Sequence, residues 1–166
     1  MPKLKNGSAV QSSGEDAPFA GDGKDIENAP LEGADYKELA DNGVKVLVSL
    51  HKPAGNVKDF CARYGIEWSY YPVADYGVPQ NAGSFDTLVS KIIGHMDSDR
   101  PVCVHCYAGV GRTGLVLACI VGKYYAISAP AAVTVIWRTR AALETREQDR
   151  FVAEYLARYG DGSRPN

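Results

Sequence analysis

Apolar residues along the chain follow two different periods, and the two periods alternate. Apolar, β-branched and aromatic residues cluster in three short stretches, at 44–50, 66–73 and 101–105, and each stretch predicts a strand. Elsewhere apolar positions recur every three or four residues, as over 83–96, which is the period of a helix packed on a core. Strands alternating with helices predict an α/β fold, with a mostly parallel central sheet of about four to five strands flanked by helices.

Capping residues and glycines mark the ends of further helices. Asp35 opens a capping-box spacing, and Gly43 is typical of a helix end, as is Gly65. Ser128 and Thr145 are residues of the type that begin helices. The predicted helices cover residues 35–42, 57–64, 83–96 and 113–126, then a segment that starts near residue 130 and a last one that starts after residue 145.

The length of 166 residues suits one hydrophobic core, and we predict a single domain over residues 17–160. Residues 1–16 are rich in Gly, Ser, Lys and Glu without an apolar period and predict a disordered tail, and 161–166 form a predicted C-terminal tail. No apolar run is long enough to cross a membrane, and we find no signal peptide or lipidation motif. We therefore expect a cytoplasmic protein without a membrane partner.

Charge and cysteine content narrow the functional classes. The net charge of −2 argues against a general nucleic-acid partner, because such proteins are normally basic, so any anion site must be local. The four cysteines allow two disulfides, but nothing else in the sequence is typical of secretion. We interpret Cys103 and Cys119, which lie in apolar runs, as small buried core residues and Cys61 as a half-buried helix residue.

The candidate chemistry lies in a glycine-rich segment between a predicted strand and a predicted helix. It reads His105-Cys106-Tyr107-Ala108-Gly109-Val110-Gly111-Arg112-Thr113-Gly114. Ligands of open α/β sheets bind beyond the carboxyl ends of strands, and a helix N-terminus offers N–H groups to an anion. The glycines let successive amides turn inward, so we predict an anion cradle. Its predicted phosphate-binding residues are Tyr107, Ala108, Gly109, Val110, Gly111 and Arg112.

Three side chains of this segment suit phosphate chemistry. Cys106 would lie at the base of the cradle, where the amides and the helix dipole favour the nucleophilic thiolate. Arg112 follows six positions later, and its planar fork can hold two phosphate oxygens at once. Thr113 is placed to donate a hydrogen bond to the sulfur and to help it leave.

The same segment allows two other interpretations, a dinucleotide site and a purely structural turn. Residues 109–114 also match the G-x-G-x-x-G dinucleotide fingerprint, which needs an acidic residue about 20 positions further on. No Asp or Glu occurs between Leu115 and Leu143, which argues against a dinucleotide site. Alternatively, the glycines only turn the chain and Cys106 is a core residue. This interpretation does not explain why Cys, Arg and Thr all occur at the positions that phosphate chemistry requires.

These residues resemble a known signature. His105 to Gly114 matches the H-C-x-x-G-x-G-R-T-G form of the protein tyrosine phosphatase motif, and 44–159 resembles a small atypical dual-specificity phosphatase. The resemblance implies a phosphorylated protein or peptide substrate, a cysteinyl-phosphate intermediate, and neither a metal nor an organic cofactor. It implies phosphotyrosine first, then phosphoserine and phosphothreonine, and a supporting role for His105 next to the nucleophile. We expect a monomer.

The resemblance also implies a general acid on a loop some 30 residues before the cysteine. Asp75 lies 31 positions before Cys106, directly after the predicted strand 66–73. A general acid protonates the leaving oxygen of the ester. The alternative is that Asp75 only forms a turn, since Asp is common before Gly and Pro in turns. Asp86 is a second candidate acid, although its helix should direct it away.

A late element and the substrate leave alternatives open. Residues 144–148 resemble the family's E-T-x-E-Q element, in which Gln148 would position the hydrolytic water, but they also fit a T-x-x-Q capping box. Lipid-directed relatives often carry Lys at the positions of Tyr107 and Val110, and RNA phosphatases tend to carry Asn at that of Gly111. Phosphoinositide or RNA 5′-phosphatase activity is therefore less favoured, and a non-catalytic phosphate-binding module remains the alternative of another class. The sequence leaves open whether a second thiol forms a protective disulfide with Cys106.

Overall fold

The computed structural model describes residues 10–12, 33–53, 55–107 and 110–160, and it divides the chain into two compact units. One unit contains Met1–Pro72 and Gly94–Gly109, and the other contains Val73–Ile93 and Val110–Asn166. The single domain over 17–160 stays a prediction. Among the described parts of the chain, no helix combines the length and the apolar character needed to cross a bilayer.

The first unit contains a parallel sheet. Its strands are β1 (Val10–Ser12), β2 (Val46–Ser49), β3 (Glu67–Tyr70) and β4 (Val102–His105), in the spatial order β1-β4-β2-β3. All neighbouring strands are parallel, and Ser49 at the end of β2 pairs with both Tyr70 and His105. The carboxyl ends of the three longer strands therefore lie level at one edge of the sheet, which is where ligands of such sheets bind.

The predicted α/β class with a mostly parallel sheet is confirmed. Three strands have four residues each, which is fewer than the four to five strands expected, and β1 adds a short fourth strand of three residues at one edge. Val10–Ser12, which lie within the predicted tail over 1–16, pair with β4 as a short strand. The rest of that tail and the C-terminal tail 161–166 lie outside the described residues.

The helices α1 (Gly33–Asp41) and α2 (Val57–Arg63) pack against the sheet in one apolar cluster. Its buried members are Tyr36, Leu39, Val44, Leu47, Val57, Cys61, Ile66 and Cys103. The prediction of a half-buried Cys61 is wrong, because Cys61 lies one turn after Val57 on the same buried helix face. Burial raises the pKa of the Cys61 thiol to about 11, which keeps it protonated.

The second unit is helical and surrounds the helix that follows the glycine-rich segment. It holds most of α3 (Ala82–Asp97), with α4 (Gly111–Tyr125), α5 (Ala129–Trp137) and α6 (Arg146–Tyr159). α4 contacts both α5 and α6, and it is buried at every position from Gly111 to Ile120. The predicted caps are confirmed: the side chain of Ser128 accepts from the N–H of Ala131, and that of Thr145 from the N–H of Gln148.

Candidate active site

The glycine-rich segment begins in the first unit, at the carboxyl end of β4. Cys106 directly follows this strand and is 4% exposed, whereas the next residue, Tyr107, is 44% exposed. Two predicted cradle residues, Ala108 and Gly109, lie outside the described residues. The four cysteines, all within the described parts, form no disulfide with one another. Burial raises the pKa of the Cys119 thiol as well.

His105 is held by a buried hydrogen-bond chain across the sheet. Its Nε2 lies 2.5 Å from the Oγ of Ser49, its partner residue on β2. The Ser49 Oγ also accepts from the indole Nε1–H of Trp68 at 3.0 Å, so its own hydroxyl proton can point to the histidine. Burial, and then the nearby charge of His51, lowers the pKa of His105 to about 3. A neutral imidazole therefore precedes the predicted nucleophile, and the sequence had given no indication of Ser49 or Trp68.

Aromatic rings line the same edge of the sheet in the first unit. The His51 ring packs edge-on against His105 at 5.3 Å and against Tyr107 at 5.9 Å between centroids. Tyr70, at the end of β3, stacks on Trp68 and is 44% exposed. Tyr70 and Tyr107 thus present exposed aromatic surface beyond the carboxyl ends of β3 and β4.

Arg112 and Asp75, the predicted phosphate-binding arginine and the predicted general acid, contact each other in the second unit. Arg112, the second residue of α4, is buried, and its Nη1 donates to the carbonyl of Val73 at 3.1 Å. Its Nη2 lies 3.3 Å from Oδ1 of Asp75, whose side chain is 62% exposed. Thr113, the next residue of α4, is fully buried.

The other candidate acid, Asp86, is engaged elsewhere in the second unit. Its Oδ1 accepts hydrogen bonds from Lys123 Nζ and from the Tyr155 hydroxyl, both at 2.6 Å. These contacts tie α3 to α4 and α6. Burial, and then the hydrogen bond to Asp86, raises the pKa of Tyr155. Asp86 therefore has a structural role, as its place on the helix had indicated.

Asp75 lies in a tight turn. The N–H of Gly77 donates to the carbonyl of Ala74 at 2.9 Å, and Tyr76 adopts a left-handed φ of 56° between them. The Asp75 carboxylate also accepts from the N–H of Tyr76 at 3.1 Å. The turn-forming and acidic interpretations of Asp75 are thus compatible, because the turn leaves the carboxylate exposed next to the guanidinium.

Gln148 connects the start of α6 to this turn. Its Oε1 accepts from the N–H of Glu144 at 2.8 Å, and its Nε2 donates to the carbonyl of Gly77 at 3.1 Å. Of the expected capping box, the bond from the Gln148 N–H to the Thr145 side chain is present. The Gln148 side chain accepts from the N–H of Glu144, one residue before the N-cap, and not from that of Thr145. A side chain at Gly111 would collide with Glu144 Oε2 and lie 3.0 Å from Gln148 Nε2, so α4 begins close to this segment.

Comparison with known proteins identifies the family. A family model described as "Polymorphic toxin system, DSP-PTPase phosphatase" matches residues 20–124, which is more than half of the chain. The chain therefore belongs to this family of dual-specificity and protein tyrosine phosphatases. The resemblance drawn from His105 to Gly114 is confirmed.

Curated relatives match part of the chain. An uncharacterized protein of Methanocaldococcus jannaschii is 39% identical over 87 residues, which is 52% of this chain and 58% of the relative. Tyrosine-protein phosphatase 2 of Dictyostelium discoideum is 32% identical over 125 residues, or 68% of this chain and 32% of the relative. The chain thus spans only about half the length, or less, of the curated relatives it matches.

Solved structures share the fold. The crystal structure of Tk-PTP in its active form has a TM-score of 0.71 at 23% identity, covering 78% of this chain and 88% of that one. Kinase associated phosphatase has a TM-score of 0.68 at 24% identity, covering 78% of each chain. Both are phosphatases by name, and at this identity the likeness concerns the fold.

Proposed function

We propose that the chain hydrolyses phosphotyrosine in proteins, and phosphoserine and phosphothreonine more slowly, through a phosphate ester of Cys106. One observation carries the proposal: Arg112, six positions after Cys106 in the family signature, is buried at the start of α4 and lies against Asp75. A guanidinium beside a carboxyl group brings together two groups that this chemistry needs. The first holds the phosphate oxygens, and the second, in its protonated form, supplies the proton for the leaving group.

The reaction has two steps. The Cys106 thiolate attacks phosphorus, the S–P bond forms, and the ester P–O bond breaks while Asp75 gives its proton to the leaving oxygen. Arg112 and the amides of residues 107–112 hold the remaining phosphate oxygens, which is where charge stabilisation acts in phosphoryl transfer. Water then cleaves the S–P bond, with Asp75 taking its proton and Thr113 donating a hydrogen bond to the departing sulfur. Inorganic phosphate is released and the thiolate returns.

The preference for phosphotyrosine rests on two exposed tyrosines at the sheet edge after which Cys106 follows. Tyr70 and Tyr107 expose aromatic rings beyond the carboxyl ends of two strands, and a phenyl ester can stack on such rings whereas an alkyl ester gains less. A phosphoinositide headgroup carries several phosphates and would favour lysines where this chain has Tyr107 and Val110. RNA phosphatases tend to have asparagine at the position that Gly111 occupies here. A monomeric state and a cytoplasmic location belong to the same proposal.

Hydrolysis of para-nitrophenyl phosphate in EDTA and reducing agent tests the proposal. We expect turnover by the native chain and none by Cys106→Ser. Cys103→Ala, which removes a buried thiol of the preceding strand, should remain active and serves as the control. A native chain that binds a phosphotyrosine peptide without hydrolysing either compound would instead be a phosphate-binding module.

A further inference from the structure

The loop that carries Asp75 is attached to the second unit at both of its ends. At its start, Arg112 Nη1 donates to the carbonyl of Val73, and two residues beyond Asp75, Gln148 Nε2 donates to the carbonyl of Gly77. The hydroxyl of Thr145 also lies 3.4 Å from the carbonyl of Tyr76, a long hydrogen bond. The second attachment therefore depends mainly on a glutamine that is 71 residues away in sequence.

Gln148 is in turn fixed by its own surroundings. It is fully buried in the first turn of α6, its Oε1 accepts from the N–H of Glu144, and its own N–H is capped by Thr145. An amide held at both of its polar atoms has a set orientation, because an exchange of its O and N would place two acceptors together at Gly77. Its donor is thereby directed at the loop.

The turn that Gln148 contacts has a strained backbone. Tyr76 has a left-handed φ of 56°, which is unfavourable for a bulky residue, and its side chain is 59% exposed. Within Ala74–Gly77 the N–H of Gly77 bonds the carbonyl of Ala74, and outside that turn Gln148 holds the same residue by its carbonyl. Loss of the outer bond would free the strained turn to relax and the Asp75 carboxylate to move away.

We propose that Gln148 is a positioning residue for the general acid, acting through the main chain at Gly77. The inference rests on the proposed function, since it assigns Gln148 to the step in which Asp75 protonates the leaving group. It differs from the water-positioning role that the family resemblance implies. In the described conformation Gln148 has no exposed surface to offer a water molecule, and its carbonyl and amino groups both bond the protein.

The two roles predict different dependence on the leaving group. An acid matters for a poor leaving group such as phenolate and hardly at all for dinitrophenolate, which departs without a proton. A residue that orients water acts after the leaving group has gone. Its loss would lower kcat for both esters to the same value and leave kcat/KM unchanged, because kcat/KM reports only the steps up to departure of the leaving group. A residue that merely stabilises the fold lowers the amount of active protein, which scales both rates equally.

The experiment compares kcat/KM for phenyl phosphate and dinitrophenyl phosphate in the full chain. Gln148→Leu removes both hydrogen bonds at similar volume, and Gln148→Glu keeps the acceptor but removes the donor to Gly77. Gln80, which is exposed three residues after Gly77, receives the same two substitutions as matched controls. We expect both Gln148 variants to lower the ratio of phenyl to dinitrophenyl hydrolysis by about ten-fold, a part of the factor that acid catalysis supplies, with the ratio unchanged in the Gln80 variants.

A double-mutant cycle separates action through Asp75 from an independent effect. In an Asp75→Asn background, which has no acid to position, Gln148→Leu should lower phenyl phosphate hydrolysis no further. Additive losses in the cycle, or a ratio of phenyl to dinitrophenyl kcat/KM that stays at the native value in the Gln148 variants, would overturn the inference.

Amide hydrogen exchange tests the anchor without turnover. The Gly77 N–H should exchange faster in Gln148→Leu than in the native chain and in Gln80→Leu, because its turn has lost the outer hydrogen bond. Unchanged exchange at Gly77 would also overturn the inference. Since exchange does not depend on catalysis, a chain that hydrolyses neither ester contradicts the proposed function, while the exchange rate still decides whether Gln148 holds the loop.

Discussion

Arg112 and Asp75 form an ion pair in which Nη2 lies 3.3 Å from Oδ1. The two side chains differ sharply in environment, because the arginine side chain is 7% exposed and the aspartate 62%. The buried partner is thus fixed at the start of α4, and the exposed partner can change its contacts when a phosphate arrives. The Arg112 guanidinium contacts the loop that carries Asp75 at two points, the carbonyl of Val73 and the carboxylate of Asp75. In the proposed reaction the same guanidinium also binds the substrate phosphate.

Arg112→Lys tests this double use of the guanidinium. A lysine keeps the positive charge but cannot bond two phosphate oxygens in one plane while it also contacts the Val73 carbonyl. We expect kcat/KM for para-nitrophenyl phosphate to fall by about 10²–10³, the usual effect of losing a donor to transition-state charge. Arg150→Lys, at an exposed position of α6, is the matched control and should match the native chain. An Arg112→Lys protein of native activity would contradict the proposed binding of two phosphate oxygens by Arg112.

The buried neutral His105 predicts how stability depends on pH. Burial lowers its pKa from 6.5 to about 3, so between these values the unfolded chain binds one more proton than the folded chain. The free energy of unfolding therefore falls as the pH is lowered through this window, with a slope from this group that approaches about 1.4 kcal/mol per pH unit. Urea unfolding across this range should show a smaller slope for His105→Gln. Equal slopes in the two proteins would contradict the buried neutral state.

Two helical glycines predict opposite effects of the same substitution. A Cβ at Gly114 would lie 2.6 Å from Ala142 Cβ and 2.8 Å from its Cα, so Gly114→Ala forces the backbone apart and should cost about 1–3 kcal/mol. Gly94, inside α3, has nothing within 4 Å of that position, so Gly94→Ala should add about 0.5–1 kcal/mol of stability. Urea unfolding measures both. A Gly114→Ala protein that is no less stable than the native chain would refute the close packing at Gly114, and a destabilised Gly94→Ala protein would refute the open position at Gly94.

Local signals allowed most of the secondary structure to be predicted. Gly43 and Gly65 follow α1 and α2 with φ values of 85° and 70°, which glycine adopts readily, and both helix ends were expected there. Apolar runs identified β2 and β4, since a strand buried along its whole length is apolar throughout. β3 is only partly buried, and its aromatic residues made it recognisable. β1 was missed because Val10–Ser12 carry no such period, and only pairing with the distant β4 makes them a strand.

The candidate site divides in the same way. The segment from Cys106 to Thr113 was recognisable because its residues are consecutive, and the position of Asp75 followed from a family spacing. The contact between Gln148 and the Gly77 carbonyl could not be predicted, since it joins a side chain to the backbone across 71 residues and leaves no mark in the sequence. The same holds for Ser49 and Trp68 behind His105. The catalytic roles stay predictions for all five residues, Cys106, Asp75, Arg112, Thr113 and Gln148.

Trapping the phosphorylated enzyme shows which residue is the nucleophile. The native chain is mixed with para-nitrophenyl phosphate, denatured within the first turnovers, digested and examined by mass spectrometry. We expect phosphate on the peptide that contains Cys106, and neither this adduct nor turnover in Cys106→Ser. Phosphate on a different residue, or hydrolysis by Cys106→Ser at the native rate, would rule out Cys106 as the nucleophile.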